Sequence, residues 1–136
     1  MTKHSAGRAL DLACGAGRDA RWLAAGGWHV VAVDRDPTAI ASLRGAARID
    51  ARVMDLERES IEPLGEFDLI IVWRYYQPSL FEAIRAQLRP GGLLSMSTKR
   101  TGRYAASLVQ LRAAFSDWTV VHAAEAQGFA ELMLRK

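Results

Sequence analysis

Apolar and polar positions fall in blocks along this chain, with short β-branched runs trading places with stretches of helical period. Residues 9–13 predict a first strand, and Gly15-Ala16-Gly17 turns it into a helix through residue 25. Gly26-Gly27 ends that helix as a C-cap. Residues 29–33 are a second, β-branched strand. Asp36-Pro37 opens the next helix, with Asp as N-cap and Pro at the first helical position, and it runs to about residue 46. Residues 49–54 are a third strand. Residues 67–72 are a fourth, apolar without alternation from Leu69 to Val72, which implies cover on both faces. A helix over 78–88 stops at Arg89-Pro90-Gly91-Gly92. A fifth strand follows over 93–98 and a last helix over 104–115. Residues 118–123 and 129–134 are strands with no room for a helix between them, so they must be antiparallel. The pattern is α/β: a mostly parallel seven-stranded sheet of Rossmann-like type, closing in an antiparallel hairpin, in one domain over 1–136 with a short tail at 1–7.

Composition narrows the class without choosing a function. No apolar run approaches the ~20 residues of a membrane span, and residues 1–7 hold no apolar segment of a secretory signal. Cys14 is the only cysteine, which rules out an internal disulfide and a cysteine-based metal cluster, and implies a reducing, cytoplasmic setting. The formal charge of +3 is spread along the chain and reads as a solvated basic surface, too slight to mark a nucleic-acid partner.

The chemistry gathers at the first turn. Gly15-x-Gly17-x-x-Ala20 follows a strand, opens a helix and precedes Asp34 nineteen positions after Gly15, which fits a nucleotide-binding fingerprint. Asp11, four residues before Gly15, separates the candidate ligands. Beside a dinucleotide pyrophosphate its carboxylate would add like charge. Beside S-adenosylmethionine it meets an ammonium and a sulfonium, with no phosphate nearby. Asp34 at the end of strand two can accept from both ribose hydroxyls, while Asp36 is the better helix cap.

On these residues the chain resembles the class I S-adenosylmethionine-dependent methyltransferases. Asp11-Leu12-Ala13-Cys14-Gly15-Ala16-Gly17 looks like their motif I, with Ala13 where the first glycine is usual, and Val31-Ala32-Val33-Asp34-Arg35-Asp36 looks like their second-strand acidic motif. Met54-Asp55-Leu56, Phe67-Asp68-Leu69-Ile70-Ile71-Val72 and Leu88-Arg89-Pro90-Gly91-Gly92-Leu93-Leu94 match later motifs in order, and the terminal hairpin matches the family's last two strands. Small tellurite-resistance-like members are the most similar in flavour. The resemblance implies that Asp11, Ala13, Cys14, Gly15 and Gly17 contact the cofactor. It implies the same for Asp34 and Arg35, for Asp55 at the adenine amino group, for Leu56 and for Trp73.

The loop after strand four, Trp73-Arg74-Tyr75-Tyr76-Gln77-Pro78, lies at the carboxyl edge where such sheets bind ligands. Arg74 is placed to hold an anionic acceptor, and Tyr75 or Tyr76 to orient it or to stack near the sulfonium. These three are the candidate catalytic residues, and a small molecule is the expected acceptor. A second reading is a cofactor-binding regulatory or partner subunit with little catalysis. A third, an NAD-dependent oxidoreductase, is disfavoured by Asp11, Asp55 and the hairpin. His4, His29 and His122 form no ligand pattern, and no metal is expected. Cys14 reads as a small packing residue, and Lys99-Arg100-Thr101-Gly102-Arg103 as a solvated loop on the same edge.

Members of that family usually carry helices before motif I, and here the first strand begins by about Arg8. Residues 56–66, where another helix is common, are short and hold Pro63 and Gly65. The expectation is an uncovered apolar face over strands four and five that makes a homodimer or binds a partner.

Overall fold

The computed structural model describes residues 7–99 and 107–136. β1 (Arg8–Leu12) leads to α1 (Arg18–Ala25), β2 (His29–Asp34) to α2 (Pro37–Ala41), and then to β3 (Ile49–Val53) and β4 (Phe67–Trp73). α3 (Phe81–Gln87) leads to β5 (Leu88–Lys99), and α4 (Leu108–Ala114) to the hairpin β6 (Thr119–Ala126) and β7 (Phe129–Arg135). The strands form one sheet in the order β3-β2-β1-β4-β5-β7-β6. β1 to β5 are parallel, and β7 is antiparallel to both β5 and β6. The chain winds outward from β1 to β3 and returns to β4, so its direction reverses between β1 and β4. A crevice opens there, at the carboxyl ends of the strands.

Strand alternation splits the core in two. Leu10, Leu12, Val31, Val33, Ile70, Val72, Leu94 and Met96 face one side, under Ile84 of α3 and Leu111 of α4. Ala9, Val30, Ala32, Leu69 and Ile71 face the other, under Ala20, Leu23 and Ala24 of α1. The spacing of those three helix residues is the one-face period of a surface helix. Each large side chain buried this way contributes roughly 1.5–3 kcal/mol.

The predicted elements are present with shifted ends. α2 stops at Ala41 instead of residue 46, since Ser42 Oγ bonds back to the Ala39 carbonyl and Gly45, at φ +84°, turns the chain towards β3. The helix expected over 78–88 begins as a 3₁₀ turn, Pro78–Leu80. β5 starts at Leu88, not residue 93: Leu88 pairs with Phe67 and Leu93 with Leu69, leaving Arg89–Gly92 as a bulge. A Cβ on Gly92 would lie 2.8 Å from Leu88 Cδ1 and 2.9 Å from two carbonyl oxygens, so the bulge requires glycine. Gln127 and Gly128, both at positive φ, form the two-residue hairpin turn whose twist matches that of paired strands. The last expected helix is described from Leu108; its first residues, and Arg100–Arg103 of the basic loop, lie outside the described residues.

The apolar face over β4 and β5 is largely closed by the chain itself, contrary to expectation. Leu69 and Ile71 keep only 9% and 7% of their surface, packed with Leu23 and the partly buried Trp73. What stays open is an apolar cleft of about 200 Å³ between Trp22, Leu69, Ile71, Trp73 and Met133. Trp22 is 77% exposed at its rim.

Candidate active site

The turn from β1 into α1 departs from ordinary backbone three times: Ala13, Gly15 and Gly17 all have positive φ. Ala13, at φ +58°, occupies a left-handed conformation that costs a side-chain-bearing residue roughly 1–2 kcal/mol. That cost is the physical reason a glycine is usual there. Gly17 caps α1, and a Cβ on it would fall 2.4 Å from Leu43 Cδ2. It is a packing glycine and lines neither lobe of the cleft described next.

Asp34 holds the turn from the neighbouring strand. Its Oδ2 accepts from the Gly15 amide at 2.8 Å and its Oδ1 from the Asp36 amide at 2.9 Å. Asp36 in turn caps α2, accepting from the Thr38 amide. A cavity of about 190 Å³ opens beside Asp34, between Ala13, Arg35, Met54, Asp55, Leu56 and Tyr75. Asp55 accepts from the Glu57 amide at 3.0 Å and pairs with Arg58 at 3.7 Å.

A second cavity, of about 440 Å³, shares Ala13 and Tyr75 with the first. Asp11, Cys14, Gly15, Arg18, Asp19, Trp73 and Arg74 complete its walls. Together the two make one cleft with two lobes. Asp11 is 3% exposed, and its Oδ2 has no hydrogen-bond partner. Burial first, then the carboxylates of Asp19 and Asp34, push its pKa up to about 7. Burial first, then the carboxylates of Asp11 and Asp34, push Cys14 up to about 12, which favours the protonated thiol.

The loop after β4 closes the cleft. Trp73 donates from Nε1 to Ser95 Oγ at 2.9 Å, which fixes the indole as a wall. Arg74 is exposed, at φ +58°, with its backbone amide on the Ser97 carbonyl and its guanidinium 4.8 Å from the Phe129 ring centre. The Tyr75 hydroxyl donates to Gln77 Oε1, and Gln77 Nε2 reaches the Leu56 carbonyl at 2.6 Å, tying this loop to the one after β3. Tyr76 turns away from both lobes and packs edge-on against Phe81 at 5.8 Å. Among the candidate residues, then, all but Gly17 and Tyr76 line one lobe or the other.

Arg18 and Asp19 line the second lobe and were missed from sequence. Their position in the first turn of the helix after the glycine loop was the available signal. His29 is exposed at the start of β2, and His122 lies 3.5 Å from Glu131. Among the described residues no group of three or more His, Cys, Asp or Glu could hold a metal. No helix among them is long and apolar enough to cross a membrane.

The parallel sheet that reverses between β1 and β4, the antiparallel strand inserted beside β5, and the two-lobed cleft under the glycine turn define a class I methyltransferase architecture. The chain belongs to the methyltransferase domain family, which matches residues 9–92, more than half its length. A curated relative, Hemagglutinin 1 of Eikenella corrodens, is 31% identical over 142 residues, covering 89% of this chain and 47% of the relative. The chain thus spans about half the length of the curated relative it matches. The fold is also that of TehB from Haemophilus influenzae, at a TM-score of 0.84 and 19% identity over 95% of this chain and 57% of that one. An S-adenosylmethionine-dependent methyltransferase from Mesorhizobium loti superposes at 0.80, with 19% identity over 99% and 94%.

Proposed function

We propose that this protein binds S-adenosylmethionine and transfers its methyl group to a small-molecule acceptor. One observation carries the reading: a buried carboxylate oxygen of Asp11 without a partner, in a lobe continuous with one that ends on Asp34 and Asp55. An anionic group of that kind calls for a cation, and the donor's amino-acid end brings an ammonium. The residues present fit the rest of the molecule. Asp34 retains lone pairs for ribose hydroxyls, Met54 and Leu56 offer apolar walls to a base, and Asp55 stands at its rim.

When bound, S-adenosylmethionine supplies a methyl group on a sulfonium, already activated for displacement by a nucleophile. The protein's part is to bind, orient and exclude water. Arg74, exposed at the mouth, holds an anionic acceptor, and Tyr75, common to both lobes, orients it. The acceptor's own nucleophile attacks the methyl carbon as the bond to sulfur breaks, so no side chain of the protein needs to carry the methyl group. A chain with one cysteine suits a reducing compartment such as the cytoplasm. Calorimetry with S-adenosylhomocysteine and with NAD tests the binding: micromolar affinity for the first and none for the second is expected, and the reverse ends the reading. Turnover of labelled donor over an acceptor panel separates an enzyme from a binding subunit.

The homodimer stands as a proposal on a narrower footing. Exposed Trp22 sits beside the apolar cleft on one face, so a two-fold axis would seat each Trp22 in the other copy's cleft. Sedimentation showing a dimer that Trp22→Ser dissociates is the expected result; a wild-type monomer at tens of micromolar ends this part.

A further inference from the structure

One corner of the sheet, outside the proposed cofactor cleft, is built from charge. Where β1, β2 and β3 begin, a cleft of about 430 Å³ is lined by Arg8, His29, Arg48, Asp50 and Arg52. Strand register explains how they meet. Arg8 pairs with His29, two residues before Leu10 and Val31 on the same core-facing side, and β3 places Asp50 and Arg52 opposite Val31 and Val33. The connection from β3 to β4 holds no α-helix, only the 3₁₀ turn Glu62–Leu64, and His29, Arg48, Asp50 and Arg52 stay exposed.

A mixture of charges would solvate an open corner equally well, but this one is weighted to one sign. Three guanidiniums and a histidine face one carboxylate. Arg52 already chelates that carboxylate, with contacts of 2.8 and 3.2 Å to Asp50. Asp50 is held below its ordinary pKa by Arg52 first and by Arg8 as well, so the cleft carries a positive field. Arg8 is oriented in advance: Nη2 donates to the Leu64 carbonyl at 2.9 Å and the guanidinium lies 4.7 Å from the Phe67 ring centre. Its Nε is buried with no partner. Arg48 stands at φ +66°, a conformation that favours glycine, and among the described residues its side chain makes no hydrogen bond or ion pair. A strained position that keeps a long cation in place of glycine suggests the cation has a use.

We propose that this cleft is an anion site for a phosphate-bearing ligand. Arg8 on β1, His29 on β2, Arg52 on β3 and Arg48 just before β3 line one cleft, and several separate cationic donors suit a tetrahedral anion with several acceptor oxygens better than a single planar carboxylate. None of its lining residues lines the proposed methyl-donor cleft, and the proposal does not depend on that reading.

Inorganic pyrophosphate is the probe, titrated by calorimetry at low salt, with acetate as control. Saturable binding of pyrophosphate and none of acetate is expected. Arg48→Gln should weaken it at least tenfold and leave S-adenosylhomocysteine affinity unchanged. Arg48→Gly, which relieves the backbone, should lose the same affinity while raising the Tm. Absence of saturable pyrophosphate binding, or binding equal in wild type and both variants, overturns the proposal. Displacement of pyrophosphate by a short single-stranded oligonucleotide would identify a nucleic-acid backbone as the phosphate source. Failure to displace would rule out a nucleic-acid backbone as that source.

Discussion

Asp34 and Asp11 sit on adjacent strands at the same edge of the sheet and do opposite things. Asp34 has an amide proton on each oxygen and fixes the glycine turn before any ligand arrives. Asp11 is buried, has an oxygen with no partner, and carries a pKa near 7. One lobe of the cleft is therefore organised in advance, and the other is left electrostatically incomplete. An orphaned buried carboxylate lowers the stability of the free protein, so its presence points to a ligand that completes it.

The sharpest way to break this comparison is Asp11→Asn. Removing one partner of a buried hydrogen-bonded charge pair costs about 2–5 kcal/mol of binding. Calorimetry should show S-adenosylhomocysteine affinity reduced by that amount, while the Tm of the free variant at pH 8 stays level or rises. An unchanged affinity would remove Asp11 from the site. The pH dependence follows with a definite sign. Asp11 has a folded pKa raised from 3.8 to about 7, so between these values the folded state binds the extra proton. Its contribution to stability falls as pH rises through that window, by up to roughly 1.4 kcal/mol per unit, and the penalty is complete above pH 7. Ligand affinity runs the other way, weakening below pH 7 because the ammonium must displace the proton. Asp11→Asn should flatten both profiles.

Asp34→Ala comes next. Loss of hydrogen bonds from a charged group to the ribose should weaken cofactor binding by about 1.5–3 kcal/mol. Because the same carboxylate anchors Gly15 and Asp36, the free protein should also lose stability, unlike the Asp11 variant. Thermal melts of both variants at pH 8 check the contrast: Asp34→Ala should lower the Tm while Asp11→Asn leaves it level or raises it, and an equal drop in both would erase the distinction drawn between the two acids.

Much of this site was legible before any coordinates. Strand, glycine turn and helix follow from local pattern, and spacing alone brings Asp11, Gly15 and Asp34 to one edge, because parallel strands expose the same end. What pattern could not supply was side-chain direction in irregular backbone. Tyr75 and Tyr76 are neighbours of one type, yet one lines the cleft and the other packs on Phe81, because the loop turns sharply at Arg74. Nor could it show that Trp73 and Leu23 close the face over β4, since packing between distant residues leaves no local period. The bulge at Arg89–Gly92 was read as a helix stop; it is that, but it also lengthens β5 backwards to Leu88.

Arg74 tests the comparison from the acceptor side. Its guanidinium rests on Phe129, and it lines the lobe of Asp11 but not the one beside Asp34. Arg74→Ala should leave S-adenosylhomocysteine affinity within error and lower kcat/KM for an anionic acceptor about tenfold, or about 1.4 kcal/mol. A matching loss of cofactor affinity would mean that the loop serves the cofactor itself.

The smallest effect belongs to Asp55, and its size decides how far advance organisation extends along the first lobe. Asp55 lines that lobe, but its carboxylate already accepts from the Glu57 amide and pairs with Arg58, and it is partly exposed to water. A single contact to a base amino group would there be exchanged for a water contact, so the net contribution is that of one ordinary hydrogen bond, about 0.5–1.5 kcal/mol. Asp55→Ala should therefore weaken S-adenosylhomocysteine by about tenfold at most and leave recognition of the ribose hydroxyls intact, so that the combined variant Asp34→Ala/Asp55→Ala shows additive losses. Additivity is expected only if the two acids act on separate ends of the ligand. Coupling well beyond 0.5 kcal/mol would show instead that the loops after β2 and β3 move as one unit. The fixed geometry now assigned to Asp34 would then depend on Asp55, not on the backbone amides of Gly15 and Asp36 alone.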